Sequence, residues 1–261
     1  MIKQVIIKRE LLEHFKQIGI KPGMVLLVQC DLTAIGYVVG GAQTIIDALI
    51  DVVGYEGTIV MPMFNFENSE PSYWHNPAIE HNLMQDVRDN MPAFQAKDSD
   101  CYDMGAVVNS FRRRDGVVFS KHPTYAFVAW GKYAKLICDR HSLHFPLGEE
   151  SPLAKISELR GATLLMGKDY SQAIMFHLAE DRSGIRPIIL NGGGVEITQG
   201  RTWKKYLDID KQPLSFFEIG KLLEDRKLVT KLPLGHSESL LIPFTGAMKC
   251  ADQYFKELFN S

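Results

Sequence analysis

The stretch from residue 24 to residue 62 constrains the fold of this chain most strongly. MVLLVQ at 24–29 is a short apolar run, which is typical of a strand buried on both faces of a sheet. A glycine-containing loop at 35–42, a helical pattern at 44–53 and a second apolar run, TIVMP at 58–62, follow it. Strand, loop, helix and strand in this order form a βαβ unit. The sequence therefore predicts an α/β protein with parallel strands.

Further helical and strand patterns extend this unit along the chain. Helical spacing predicts helices at 8–18, 105–111, 132–138, 214–225 and 245–259, and a helix start at Ser151-Pro152. Apolar runs predict strands at 127–130, 163–167, 187–190 and 195–198, with Gly192-Gly193-Gly194 as a hairpin turn. Residues 64–101 predict a long loop insertion. We expect one α/β domain over residues 1–261, with a central mixed, largely parallel sheet flanked by helices.

Charge and hydropathy limit the kinds of molecule that the protein is expected to bind. The 261 residues contain 29 basic and 31 acidic side chains, so the formal net charge is −2 (29 minus 31). This balance gives no broad basic field for nucleic acid or anionic lipid. No apolar run approaches the roughly 20 residues of a membrane-spanning helix, and the N-terminus does not resemble a signal peptide. We expect a cytoplasmic protein with no nucleic-acid or membrane partner; a homo-oligomer stays open.

The cysteines and histidines do not form a metal-binding pattern. Cys30, Cys101, Cys138 and Cys250 contain no closely spaced pair, which a cysteine zinc site usually has. His141-Ser-Leu-His144 has metal-like spacing but lacks a third ligand. We expect no metal, and four reduced thiols.

Two segments could carry chemistry. The glycines at 36, 40 and 41 precede a helix, where free N–H groups can bind a phosphate, or they serve only to turn the chain. His177 and Glu180 are three residues apart, so on a helix they share a face. An imidazole beside a carboxylate can accept a proton from a nucleophile, although this spacing is also common on solvated helices. The acidic residues of the insertion (Glu67, Glu70, Asp86 and Asp89) could attract a polycationic small molecule, or they belong to an ordinary solvated loop.

Five strings in fixed order carry a family resemblance. They are LLVQCDLTAIGYVVGGAQTIIDALIDVVGYEGTIVMP (26–62), MGAVVNSFR (104–112), HPTYAFVAWG (122–131), PLGEESPLAKISELRGATLLMG (146–167) and FHLAE (176–180). Together they resemble the aminoglycoside 3-N-acetyltransferase family of antibiotic acetyltransferases. The resemblance implies the α/β fold of that family, with acetyl-CoA or another acyl-CoA as donor. It also implies a small-molecule amine, on an amino sugar or an aminoglycoside-like compound, as acceptor.

The same resemblance assigns site residues. His177 matches the family's active-site histidine, the general base, and Glu180 the acidic partner that meets the amine or holds the imidazole. The residues expected beside the CoA cofactor are Asp31, Leu32, Thr33, Gly36, Tyr37, Val38, His122, Tyr125 and Phe127. The chemistry is consistent, because an amine that is protonated at pH 7 must lose a proton before it attacks a thioester.

Several positions depart from the family's usual residues. Gln29, Cys30 and Asp31 stand where His-Ser-Ser is usual, and Phe119, Ala126 and Ile174 replace an arginine, a hydroxyl residue and a threonine. The chain is therefore either a divergent acyltransferase or an amine- or partner-binding protein that has lost CoA chemistry. A hydrolase or thioesterase with Cys30 as nucleophile is a third reading. A nicotinamide-dependent dehydrogenase is a distant fourth, because the dinucleotide fingerprint is missing.

Overall fold

The computed structural model describes residues 4–99, 101, 104–211 and 216–259 of the chain. The predicted start of the helix at 214 and 215 lies outside these residues. The strands are β1 (Val25–Cys30), β2 (Thr58–Phe64), β3 (Val118–Phe119), β4 (Tyr125–Gly131), β5 (Ala162–Met166), β6 (Ile188–Ile197), β7 (Gly200–Ile209), β8 (Thr230–Leu234) and β9 (Ser237–Pro243). The helices are α1 (Lys8–Ile18), α2 (Leu32–Ile35), α3 (Gly41–Val53), α4 (Met84–Asn90), α5 (Gly105–Phe111), α6 (Ala134–Cys138), α7 (Pro152–Glu158), α8 (Phe176–Ser183), α9 (Phe217–Asp225) and α10 (Phe244–Phe259).

The main sheet contains seven strands in the order β3-β4-β2-β1-β5-β9-β8. The central strand β1 pairs in parallel with β2 on one side and with β5 on the other. The outer pairings are antiparallel, so β4 and β9 run opposite to the other five strands. This confirms the expected mixed α/β architecture, with a parallel centre and helices on both faces.

Helices cover both faces of the sheet, which explains why its central strands are continuously apolar. All six residues of β1 are buried; Leu26 and Val28 face α1, α3 and α5, whereas Val25 and Leu27 face the helices from α6 to α10. A strand with both faces covered has no solvent side on which polar residues would alternate. The apolar runs at 24–29 and 58–62 therefore predicted β1 and β2 correctly.

The β6–β7 hairpin corrects one prediction. The glycines at 192–194 lie inside β6 and pair with Lys205, Lys204 and Trp203, and the chain turns after Ile197 instead. These glycines allow close packing: a Cβ on Gly194 would lie 2.7 Å from the Pro92 carbonyl oxygen of the insertion. The hairpin turn predicted at 192–194 is therefore wrong, because the absence of side chains serves contact with the insertion and not a reversal of the chain.

None of the described helices combines the length and the apolar character that a membrane-spanning helix needs.

Candidate active site

A cavity of about 550 Å³ opens at the carboxyl ends of β1, β2 and β5. The order of the sheet reverses at β1 and β5, because the chain leaves β1 toward β2, whereas after β5 it re-enters the sheet on the opposite side, at β8 and then β9. Ligands of open α/β sheets bind outside the carboxyl ends of the strands at such a switch point. The cavity is also within the volume range that accommodates small molecules.

The cavity wall is apolar, with a few polar groups. It is lined by Gln29, Cys30, Pro62, Phe64, Phe66, Met104, Val108, Tyr125, Leu147, Lys168, Ser171, Gln172, Ile174, His177, Lys211 and Phe216. The strand ends supply the first of these residues, and the segment between β5 and α8 supplies the polar residues Lys168, Ser171 and Gln172. His177 is the member that the sequence predicts as a general base.

His177 lies in the first turn of α8 and contacts the fully buried Glu180. The distance from His177 Nδ1 to Glu180 Oε2 is 2.8 Å, and Arg186 Nε donates to Glu180 Oε1 at 2.9 Å. Glu180 is 0% exposed, whereas the His177 side chain is 21% exposed. The edge-on ring of Phe216, 5.0 Å away between centroids, holds the imidazole from another side. The carboxylate thus lies behind the ring and orients it.

This geometry fixes the protonation pattern of the pair. Burial alone would raise the pKa of Glu180, but the hydrogen bonds from His177 and Arg186, the charge of Arg186 and the charge that His177 carries when protonated hold that pKa below its ordinary value. An ionised carboxylate only accepts hydrogen bonds, so the neutral ring carries its proton on Nδ1. The lone pair of Nε2 is then available as a base.

Next to this pair lies a second group of buried charges. Asp208 accepts a hydrogen bond from the Lys211 ammonium, which stands 4.7 Å from the centroid of the Tyr125 ring. Burial, opposed by Lys211 and reinforced by Asp208, raises the pKa of Asp181 to about 6. Asp181 Oδ2 is buried and has no hydrogen-bond partner in the described part of the chain.

The residues that follow β1 were expected beside the CoA cofactor. Asp31 Oδ1 caps α2 and accepts hydrogen bonds from Thr33 N at 2.9 Å and Ala34 N at 3.2 Å. Hydrogen bonds from these N–H groups and from the Thr33 hydroxyl lower the pKa of Asp31. The helix start is therefore occupied by the chain's own carboxylate and is not free for a phosphate.

The glycine loop is likewise bonded internally. Gly36 N donates to Leu32 O, Val39 N to Ile6 O, and Gly41 N to Val38 O. Gly36 and Gly40 have φ values of 105° and 77°, which side chains rarely adopt. Of the two readings of this loop, the structure favours the one in which the glycines turn the chain.

The nine residues expected beside the cofactor do not share one surface. Among them, Tyr125 is the one that lines the cavity with His177 within the described residues. Phe127 is fully buried and packs edge-on against Phe64. His122 lines a second cavity, of about 1070 Å³, between the β3 edge and the tip of the hairpin. Their assignment to CoA stays a prediction.

His122 has a clear structural function. Its Nδ1 accepts hydrogen bonds from Thr124 N at 3.1 Å and Tyr125 N at 2.9 Å, and its Nε2 donates to Leu143 O at 3.2 Å. Burial and the neighbouring His141 hold the pKa of His122 well below its usual range. A neutral His122 therefore fixes the backbone at the start of β4, immediately before the cavity residue Tyr125.

The remaining sequence candidates lie elsewhere. His141 forms hydrogen bonds through Nδ1 with Ser120 Oγ and through Nε2 with Pro146 O. His144 Nδ1 accepts a hydrogen bond from Leu207 N. The described residues contain no cluster of three or more metal-ligating side chains.

Cys30 lines the cavity as a thiol. Burial, together with the neighbouring charge of Asp31, raises the pKa of Cys30 to about 12. Since the thiolate is the nucleophilic form of cysteine, this environment argues against the hydrolase reading.

The acidic insertion does not direct all its carboxylates to solvent. Glu70 is buried and binds Arg88, and its backbone N–H donates to Asn191 Oδ1 at 3.0 Å. The carboxylate thus joins two segments of the insertion and is not available to a cationic acceptor, whereas the backbone N–H binds the hairpin.

A known protein family matches most of the chain. The sequence profile described as Aminoglycoside 3-N-acetyltransferase matches residues 27–256. The chain belongs to this family. The match covers β1 through most of α10, which includes His177, Glu180 and every strand of the main sheet.

Individual relatives extend over most of the chain. It is 38% identical over 249 residues to the SPbeta prophage-derived aminoglycoside N(3')-acetyltransferase-like protein YokD of Bacillus subtilis (strain 168), covering 95% of this chain and 92% of YokD. The YokD crystal structure superposes with a TM-score of 0.93 at 37% identity, covering 98% of this chain and 95% of that one. Aminoglycoside N(3)-acetyltransferase IX of Micromonospora chalcea is 31% identical, covering 80% of this chain and 75% of the relative. The binary complex of AAC-IIIb with CoASH shares the fold, with a TM-score of 0.87 at 22% identity and coverage of 98% of both chains.

Sequence reasoning did not identify several side chains of the site. Lys168, Lys211 and Phe216 line the cavity, and Arg186 completes the contact behind His177. Arg186 lies beyond the end of α8, so no helical spacing connects it with Glu180. The two lysines follow strands β5 and β7, and their sequence neighbourhood carries no signal of a shared cavity.

Proposed function

We propose that this protein is an acyl-CoA-dependent N-acyltransferase that acts on the amine of an amino sugar or aminoglycoside-like acceptor. The observation that carries the proposal is the cavity-lining His177, whose Nδ1 is held 2.8 Å from the buried Glu180 carboxylate. Family membership supports acetyl-CoA as the donor, and use of this metabolite fits the cytoplasmic location expected from the sequence.

In the proposed reaction His177 acts as the general base. Its Nε2 accepts a proton from the acceptor amine as the amine nitrogen attacks the thioester carbon. The C–S bond then breaks, and the imidazolium returns the proton to the departing CoA thiolate, which leaves an amide and free CoASH. Glu180 stabilises the transient imidazolium, because its carboxylate remains ionised beside Nδ1.

The residues present fit a CoA donor only in part. The cavity suits the pantetheine end of the donor in volume and apolar character, and Lys168 offers a cation close to Asp31 and Cys30 at the end of β1. The start of α2 offers no free N–H pair, since Asp31 binds both. We therefore assign the phosphate contact to Lys168 and not to the helix start.

A thiol-release screen tests the proposed function. Purified protein is mixed with a panel of acyl-CoAs and a panel of amino sugars, aminoglycosides and simple amines, and free CoASH is followed with a thiol reagent. We expect release that depends on both an acyl-CoA and an amine, with the N-acylated product visible by mass spectrometry. An absence of turnover across the panel, together with no thermal shift on adding CoA, would instead favour the amine- or partner-binding alternative.

A further inference from the structure

The residue at the end of β1 departs from the family's usual histidine and makes an unusual set of contacts. Gln29 is 7% exposed and lies at the base of the cavity. Its Nε2 donates to the Gln172 carbonyl oxygen at 2.7 Å, and its Oε1 accepts from the Ile174 N–H at 3.1 Å. Both ends of the amide are thus bound to the segment that leads into α8.

These two hydrogen bonds continue directly into the turn that carries the catalytic ring. The Ile174 carbonyl oxygen accepts the His177 N–H at 3.1 Å. Gln29 therefore binds the backbone of residues 172–174, and Ile174 in turn binds the backbone of His177. The connection joins the rigid central strand of the sheet to the first turn of α8 in two steps.

No other contact described above provides this restraint. Glu180 and Phe216 fix the rotation of the imidazole, but both act on the ring itself. Gln29 acts on the backbone, and it sets the distance of α8 from the end of β1, where Cys30 and Lys168 line the same cavity. Small displacements of a catalytic group have large effects on rate, because the reacting atoms must lie within about 3–3.5 Å of each other.

We infer that Gln29 is a positioning residue that fixes His177 relative to the strand ends through the backbone of residues 172–174. This inference rests on the proposed function for its kinetic consequence, but its geometric content is independent of it. Gln29 does not exchange protons, and both its amide nitrogen and its amide oxygen bind the backbone of residues 172–174.

The test compares Gln29→Met with a matched control. Methionine keeps the length of the side chain and removes both hydrogen bonds. The control is Asn191→Leu on the hairpin: Asn191 is 6% exposed, and its Oδ1 accepts the N–H groups of Glu70 and Gly192. Both changes remove two buried hydrogen bonds to the backbone, but only the first lies on the path to His177.

Two readouts separate positioning from general destabilisation. We expect Gln29→Met to lower kcat by about 10- to 100-fold with a change in the KM for acyl-CoA of less than about twofold, and Asn191→Leu to leave both nearly unchanged. In protein labelled with ¹⁵N-histidine, the ring resonances of His177, identified by their loss in His177→Asn, should shift in Gln29→Met and not in Asn191→Leu. Gln29→Leu also removes both hydrogen bonds, with a shorter side chain, and serves as the kinetic and spectroscopic arm should Gln29→Met not fold.

The outcomes are distinct from those of the proposed function. If the wild-type protein transfers no acyl group, the proposed function fails, and the histidine spectra alone decide the role of Gln29. If Gln29→Met, or Gln29→Leu in its place, retains kcat within twofold and leaves the His177 resonances unmoved, the positioning role is overturned.

Discussion

Replacing Glu180 by glutamine tests most sharply the contact behind the His177 ring, the proposed general base. The glutamate accepts from His177 through one oxygen and from Arg186 through the other. Glutamine has a single oxygen, and the arginine offers only donors, so the amide oxygen turns toward Arg186 and the NH₂ group toward His177. The ring must then accept at Nδ1 and carry its proton on Nε2. This is the wrong tautomer for a base at the cavity.

The expected losses of activity and of stability both follow from the burial of Glu180. A wrong tautomer and the loss of the stabilising carboxylate lower kcat by about 10²- to 10⁴-fold, the upper value being that of the corresponding change in a Ser-His-Asp triad. Removing one partner of a buried ion pair costs about 3–5 kcal/mol. Because the Arg186 side chain is 15% exposed and keeps an amide acceptor, we expect Glu180→Gln to lower the free energy of unfolding by about 2–4 kcal/mol. That corresponds to a loss of roughly 5–15 °C in Tm.

The assay is thiol release for kcat and thermal unfolding for Tm, each compared with Glu149→Gln. Glu149 also pairs with an arginine, Arg182, but its side chain is 63% exposed. The control should lose less than about 1 kcal/mol and retain turnover within twofold. Equal behaviour of the two variants in both assays would refute the argument from burial and tautomer.

Three further predictions follow from the same site. Lys168→Met should raise the KM for acyl-CoA about 3- to 10-fold and leave kcat within twofold, because one partly exposed cation–phosphate contact contributes about 1 kcal/mol of binding free energy. The control, Lys132→Met at a surface ion pair, should change neither KM nor kcat. Cys30→Ser should retain most of the activity, because a thiol with a pKa of about 12 is not a nucleophile at pH 7; a large loss of turnover would restore the hydrolase reading. Asp181→Asn should raise the free energy of unfolding by about 1–2 kcal/mol at pH 7.5 and by less at pH 4.5. The folded-state pKa of about 6 exceeds the ordinary value of 3.8, so the destabilisation by the charge develops as the pH rises from about 4 to about 6 and is complete above 6. An equal gain at both pH values would contradict this.

Local sequence patterns predicted the centre of the fold well. The runs at 24–29, 58–62 and 163–167 became β1, β2 and β5, because strands covered on both faces are apolar at every position. The outer strands β8 and β9 were not predicted, since β8 is largely exposed and mixes lysine, proline and leucine. The three glycines of β6 led to the wrong prediction of a hairpin turn for a different reason. Glycine is favoured both in tight turns and where two backbones pack closely, so its presence does not distinguish the two.

The sequence could predict only those contacts of the candidate site that join residues close to each other in the chain. His177 and Glu180 are three residues apart on α8, and helical spacing alone brings their side chains together. The contacts of Gln29 join residues 143 and 145 positions apart in sequence, so no spacing rule could indicate them. The occupied start of α2 was equally hidden, because whether Asp31 binds its own helix or leaves it free depends on a side-chain rotamer.

The most direct test of the account is to measure turnover and CoA affinity on the same His177→Ala protein. A missing general base should lower kcat by about 10²- to 10⁴-fold, while the dissociation constant of CoA, measured by titration calorimetry, stays within about threefold of wild type. Turnover close to that of the wild-type protein would contradict the assignment of His177 as the base.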